Sequence, residues 1–105
     1  MKKIVVFCAG GMSSSLLINR MRDTAAELKL DCEINAYGTS SAGSCGKDAD
    51  VILLAPQVRF SKAEIMQKCP GVPVQVIEMM DYGTMNGKKV VSDAIALMGE
   101  RGEKA

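Results

Sequence analysis

An α/β fold, a four-stranded parallel sheet with helices on both faces, is what this sequence predicts, and three observations carry the prediction. Short apolar runs alternate with longer stretches of helical periodicity, the pattern of strand–helix–strand units. Two of the runs, Ile4-Val5-Val6-Phe7 and Val51-Ile52-Leu53-Leu54, are apolar without interruption, as strands covered on both faces are. Hydrophobic residues make up 48 % of the chain and aromatics only 4 %, so the core is built from aliphatic side chains. With 105 residues the chain reads as a single domain, 1–105. A chain of this size buries roughly two thirds of its unfolded surface, enough for one core.

Lys3 to Phe7 forms the first strand. Met12 to Lys29 forms the first helix, capped by Ser13 or a neighbour, with Leu17, Met21, Ala25 and Leu28 as its inward stripe. Asp31 to Ala36 is the second strand, where Cys32, Ile34 and Ala36 alternate with Glu33 and Asn35. Gly38 to Gly46, rich in Gly and Ser, is a loop. Asp50 to Ala55 is the third strand, and Pro56 to Lys68 is a loop followed by a helix. Pro73 to Ile77 is the fourth strand. Met79 to Gly87 reads as a long turn, Lys88 to Met98 as the closing helix, and the polar tail 99–105 as frayed. The uninterrupted first and third strands belong in the centre. The alternating second strand and the proline-led fourth belong at the edges. Right-handed crossovers then give the strand order 2-1-3-4, with the switch point between the first and third strands.

Several function classes are excluded at this stage. Net charge is +1 with both signs interspersed, which gives no basic stripe for nucleic acid. No apolar run approaches the roughly 20 residues of a membrane span. Met1-Lys2-Lys3 and the short apolar run after it do not make a signal peptide. The four cysteines, Cys8, Cys32, Cys45 and Cys69, form no C-x-x-C pair, and the chain has no histidine. Their spacing matches no zinc pattern, so no metal or other cofactor is expected. They read as free thiols of a cytoplasmic protein, with Cys32, Cys45 and Cys69 structural or incidental.

The chemistry concentrates at Cys8. The first strand ends on this cysteine, Ala9, Gly10, Gly11 and Met12 follow, and Ser13, Ser14 and Ser15 lead into the first helix. A loop of small residues before a helix aims backbone N–H groups at one point, and the helix dipole reinforces them. Glycine permits close backbone approach, and serine hydroxyls donate to phosphate oxygens. A thiol held there is favoured as thiolate. With no histidine in the chain, no Cys–His dyad can activate it, so backbone dipoles or nearby cations must. The competing reading is a small buried hydrophobe at a strand end.

The spacing is similar to that of low-molecular-weight tyrosine phosphatases, which carry Cys, five residues, then Arg. Here the corresponding position is Ser14, so the arginine that clamps a phosphate bidentately is missing. No acid loop is evident either. Such a site holds a phosphoryl group and is poorly equipped to hydrolyse it, as a relay requires. At the switch point the loop meets Pro56, Gln57 and Arg59. Gln57 is a candidate donor to phosphoryl oxygens, against a plain turn. Arg59 is a candidate positive charge, against a solvated arginine. Tyr82 is a candidate for the rim of the docking face, against packing over the sheet edge. Met79, Met80 and Met85 suit an adaptable docking surface, against core filling.

Three segments together resemble a known family: Phe7-Cys8-Ala9-Gly10-Gly11-Met12-Ser13-Ser14-Ser15-Leu16-Leu17; Ala49 to Val58 with its Pro56-Gln57 pair; and Val74 to Ile77 followed by Tyr82-Gly83 and Gly87. The chain is similar to the enzyme IIB component of the bacterial sugar phosphotransferase system, in its lactose/cellobiose/chitobiose class. One departure is Gly10-Gly11, where Ala-Gly is commoner. The resemblance implies a four-stranded parallel sheet like that of the small phosphatases. It implies that Cys8 takes a phosphoryl group from a histidine of a IIA component and passes it to sugar bound by a membrane IIC permease, with Ala9 to Ser15 cradling the phosphate. The donor imidazole then belongs to the partner. The remaining alternatives are a cysteine-dependent phosphatase or arsenate reductase, and a redox or anion-binding module.

Overall fold

The computed structural model describes residues 2–8, 15–38, 46 and 48–102. Strand β1 spans Lys2–Cys8, helix α1 Ser15–Glu27, β2 Cys32–Gly38 and β3 Val51–Leu54. A 3-10 helix, Pro56–Ser61, runs into α2, Lys62–Lys68; then come β4, Val74–Val76, α3, Met79–Gly83, and α4, Gly87–Gly102. The sheet has the order β2-β1-β3-β4, all parallel, as the apolar patterns require.

Hydrogen bonding alternates along β1. The Lys2 N–H donates to the Asp31 carbonyl on the β2 side, and the Lys3 carbonyl accepts from Asp50 on the β3 side. Ile4, Val6 and Cys8 therefore share one face of the sheet, and Val5 and Phe7 the other. All five are buried, as are all four residues of β3, so helices cover both faces. α1 packs against α4, and α2 packs against β4 and the 3-10 helix. Val90, Val91, Ala94 and Met98 form the inward stripe of α4.

Three expectations are corrected. Leu28 is exposed, although the spacing placed it on the inward stripe of α1 with Leu17, Met21 and Ala25, which are buried. The helix has already ended there. Lys29 takes the left-handed conformation at φ 55°, its N–H donates to the Ala26 carbonyl, and the Leu30 N–H reaches back to the Ala25 carbonyl. This closing motif passes the apolar contact to Leu30, which packs on the core, while Ile18 completes the stripe. Second, Met79 to Gly87 is not simply a turn, because α3 forms within it. Five residues are too few to show a helical period. Third, α4 continues past Met98 to Gly102.

The open edge of the sheet at β2 is covered by a side chain of α1. By the alternation above, Ile34 directs its carbonyl away from β1. The Arg22 guanidinium donates to that carbonyl from Nε at 3.0 Å and Nη2 at 2.7 Å. Nη2 also donates to Asn35 Oδ1 at 3.1 Å, and Asn35 Nδ2 donates to Glu33 Oε2. An exposed strand edge is thereby blunted by a charged group.

Candidate functional site

Parallel strands bring their carboxyl ends to one edge of the sheet, so Cys8, Gly38, Ala55 and Ile77 stand side by side there. The ladder continues one step past the strands: the Ala55 N–H donates to the Phe7 carbonyl at 2.9 Å, and the Ile77 N–H donates to the Leu54 carbonyl at 2.8 Å. Cys8 lies on a central strand, between the ends of β2 and β3, where an open α/β sheet changes its winding direction.

Only 1 % of Cys8 is exposed. Its thiol donates to the Tyr37 carbonyl at a sulfur–oxygen distance of 3.8 Å. The same two strands pair an aromatic ring on each side, Phe7 and Tyr37, with ring centroids 6.4 Å apart. This pairing sets the register of the strand ends that hold the thiol. The helix after Cys8 is α1, which opens at Ser15. The cradle assigned to Ala9, Gly10, Gly11, Met12, Ser13 and Ser14 lies outside the described residues, as do Cys45 and most of the Gly38–Gly46 loop.

The other singled-out residues divide. Pro56 follows Ala55 directly, is buried, and starts the 3-10 helix beside the Cys8 strand end. Gln57 is exposed on that helix. Arg59 is exposed too, but folds back so that Nη1 donates to the Pro56 carbonyl at 3.1 Å, which keeps its charge at the carboxyl end of β3. Tyr82, on α3, is buried in the core. Met85 is partly buried against the core, whereas Met79 and Met80 stand out in solvent.

Two features escaped sequence reasoning. Tyr37 meets the thiol through its main chain, which leaves no signature in a side-chain pattern. Phe60 is 81 % exposed on the 3-10 helix. Its signal was a lone phenylalanine between Arg59 and Lys62 in a chain with only two phenylalanines. Among the remaining cysteines, Cys69 is buried and Cys32 is half-buried at the opposite edge, where burial, then the Asp31 charge, push its thiol pKa up. A cavity of about 520 Å³ between α1 and the start of α4 is walled by Arg20 and Lys88 against Asp23 and Glu27, and Cys8 takes no part in it. No helix among the described residues is long and apolar enough to cross a membrane.

Comparison with known proteins agrees with this arrangement. The family described as PTS system, lactose/cellobiose-specific IIB subunit, matches residues 3–93. The galactose-specific EIIB component of Lactococcus lactis subsp. cremoris is 46 % identical, over 92 % of this chain and 96 % of that protein. The oligo-β-mannoside-specific EIIB component of Bacillus subtilis is 39 % identical, over 93 % and 97 %. The solution structure of the cellobiose-specific IIB component of Borrelia burgdorferi superposes with a TM-score of 0.81 at 34 % identity, covering 95 % of this chain and 94 % of that one. The lactose-specific EIICB component of Staphylococcus haemolyticus, 27 % identical over 96 % of this chain, is matched over only 17 % of its own length; it carries the IIB unit in one polypeptide with IIC. A match over most of the chain, on a sheet of the order the strands predicted, supports one conclusion: this chain belongs to the lactose/cellobiose-specific IIB family of the sugar phosphotransferase system, phosphotransferase components that work with a IIA donor and a IIC permease.

Proposed function

We propose that Cys8 is the residue that carries the phosphoryl group. The observation behind this reading is its place: a thiol ending a central strand at the switch point, at the sheet edge from which α1 departs. The Cys8 sulfur attacks the phosphorus of a phosphohistidine on IIA. The S–P bond forms as the N–P bond breaks; the imidazole keeps that electron pair and takes up the proton the thiol has given up. In the second step a sugar hydroxyl held by IIC attacks the same phosphorus, the S–P bond breaks, and sulfur leaves as thiolate. The hydroxyl proton goes to a base of the permease.

Ala9 to Ser15 form the phosphate cradle in this reading. The N-terminus of α1, a helix of 13 residues, adds its partial positive charge to their N–H groups. Gln57 donates to the transferred group, and the Arg59 charge borders it. Docking against each partner keeps water from the thiophosphate during the transfers. The chain acts in the cytoplasm, where IIA meets it. Its sugar falls in the class named for its relatives, galactose, cellobiose and oligo-β-mannoside.

The test is intact-protein mass after incubation with phosphoenolpyruvate, the general phosphotransferase proteins and a matching IIA. One phosphoryl group is gained by the wild type and by a variant lacking Cys32, Cys45 and Cys69, and none by Cys8→Ser. A Cys8→Ser protein that still supported sugar phosphorylation would overturn the assignment.

A further inference from the structure

The two outer edges of the sheet are finished differently. At β2 the Arg22 guanidinium covers the Ile34 carbonyl. At β4 no side chain among the described residues does the same. The Ile52 N–H donates to the Pro73 carbonyl and the Ile77 N–H to the Leu54 carbonyl, both at 2.8 Å. Pro73, Gln75 and Ile77 therefore turn their main-chain groups toward β3, and Val74 and Val76 turn theirs outward. No hydrogen bond among the described residues takes up the N–H and C=O of either valine. Proline does not guard this edge, because Pro73 lacks its N–H on the side that faces β3. Charge does not guard it either: Pro73 to Ile77 includes no ionisable side chain. An unguarded edge is a template for another strand.

The edge is complementary to itself. With two β4 strands antiparallel about a two-fold axis at Gln75, Val74 of each copy stands opposite Val76 of the other. Each such pair exchanges two N–H···O bonds, so every outward group of both valines is satisfied. On one face of the sheet the valines, already packed on the core, meet as β-branched cross-strand pairs. On the other face Gln75, half-buried, meets Gln75 of the other copy, and two side-chain amides bond to each other. Charge agrees with this direction. Glu78 is exposed at the carboxyl end of β4, and the two-fold axis lays it beside the turn that follows Lys68 at the end of α2 in the other copy. Parallel strands place Glu78 beside Glu78 instead. Helix α2 packs against β4 and carries the exposed Met66, which adds apolar surface to the same flank.

We propose that two copies of this chain join through β4, in antiparallel register about Gln75, to make one sheet continuous across the pair. A second copy is the occupant because the register that satisfies every outward group is its own inverse, as an isologous contact requires. The strands run in opposite directions, so the two carboxyl edges, each with its Cys8, face opposite ways. Pairing therefore leaves both thiol edges open, and the inference stands whichever residue carries the phosphoryl group. The strand has three residues, so the contact is small and closes at high protein concentration.

Sedimentation equilibrium of the full chain, from about 10 μM to about 1 mM, reads the association. The wild type should rise from the mass of one chain toward that of two. Gln75→Lys sets like charges opposite each other across the axis and should raise the dissociation constant about fivefold, as should Gln75→Glu. An equal mixture of the two variants should associate at least as tightly as the wild type. Melting temperatures in dilute solution show that each variant is folded. Should a Gln75 variant not fold, Val76→Pro takes its place: it deletes an outward N–H and no bond to β3, and should weaken association likewise. A wild type that keeps the mass of one chain throughout overturns the proposal. So does a folded Gln75→Lys or Val76→Pro protein with the wild-type dissociation constant, or a mixture no tighter than its components.

Discussion

Replacing Gly87 with alanine adds one methyl group where α4 meets the main chain of α1. A Cβ there would stand 2.6 Å from the Arg20 carbonyl carbon, 2.7 Å from the Met21 nitrogen and 2.9 Å from Arg20 Cβ. Two of these neighbours are backbone atoms of a helix whose buried stripe is fixed in the core, so they cannot rotate aside. The start of α4 must shift instead, and that disturbs Val90 and Val91 on its buried face. Overpacking of this kind costs about 1–3 kcal/mol. Alanine's helix propensity offsets less than ~1 kcal/mol of it, since Gly87 is the first helical residue. A net loss of about 1–2 kcal/mol lowers the melting temperature by roughly 5–10 °C in a domain of this size. Gly83 is the control: it ends α3, and a Cβ there meets nothing within 4 Å. Gly83→Ala should be neutral or slightly stabilising. Thermal unfolding of both variants decides the matter. A Gly87→Ala protein that melts with the wild type, or two variants that shift alike, would refute the close-contact reasoning.

Two further predictions concern the β2 edge and its cysteine. Arg22→Met removes the donors to the Ile34 carbonyl and should cost about 1 kcal/mol, the net worth of a partly exposed hydrogen-bonded contact. It should also promote self-association through the bared edge; urea melts and light scattering measure both, and a variant with the wild type's stability and scattering mass would count against the role. Cys32 has its thiol pKa raised above the ordinary 9.0, first by burial and then by Asp31. A raised folded-state pKa means its contribution to stability is whole below pH 9 and is lost as pH rises through the folded value. The stability difference between wild type and Cys32→Ser should therefore be flat below that pH and shrink above it; a difference changing between pH 6 and 8 would contradict the assignment.

The central strands were legible because their pattern is redundant. Every residue of Ile4 to Phe7 and of Val51 to Leu54 is apolar, so no register slip could hide them. The edge strands were legible from alternation and from Pro73. Cys8 stood out because a cysteine, two glycines and three serines occur between a strand and a helix. Boundaries set by local hydrogen bonding were harder to read. Leu28 fits a helical stripe by spacing, and only the left-handed turn at Lys29 reveals that the helix has stopped. Helix α3 is shorter than the period by which helices are recognised, and Tyr82, buried in the core, helps to hold it.

The sequence by itself determined the sheet, its order and the end of it at which a thiol sits, because hydrophobic period and crossover handedness depend on residues close along the chain. Tertiary structure alone decided which groups meet there. Tyr37 reaches the Cys8 thiol across two strands separated by 29 residues, and it does so with a carbonyl every residue possesses. Arg22 covers an edge 12 residues away. Gly87 looks like a simple helix start until α1 is packed against it. Whether Phe60, Met79 and Met80 belong inside or outside was likewise undecided by their type. Each is apolar, and only the completed core, with no place left for them, turns them toward solvent.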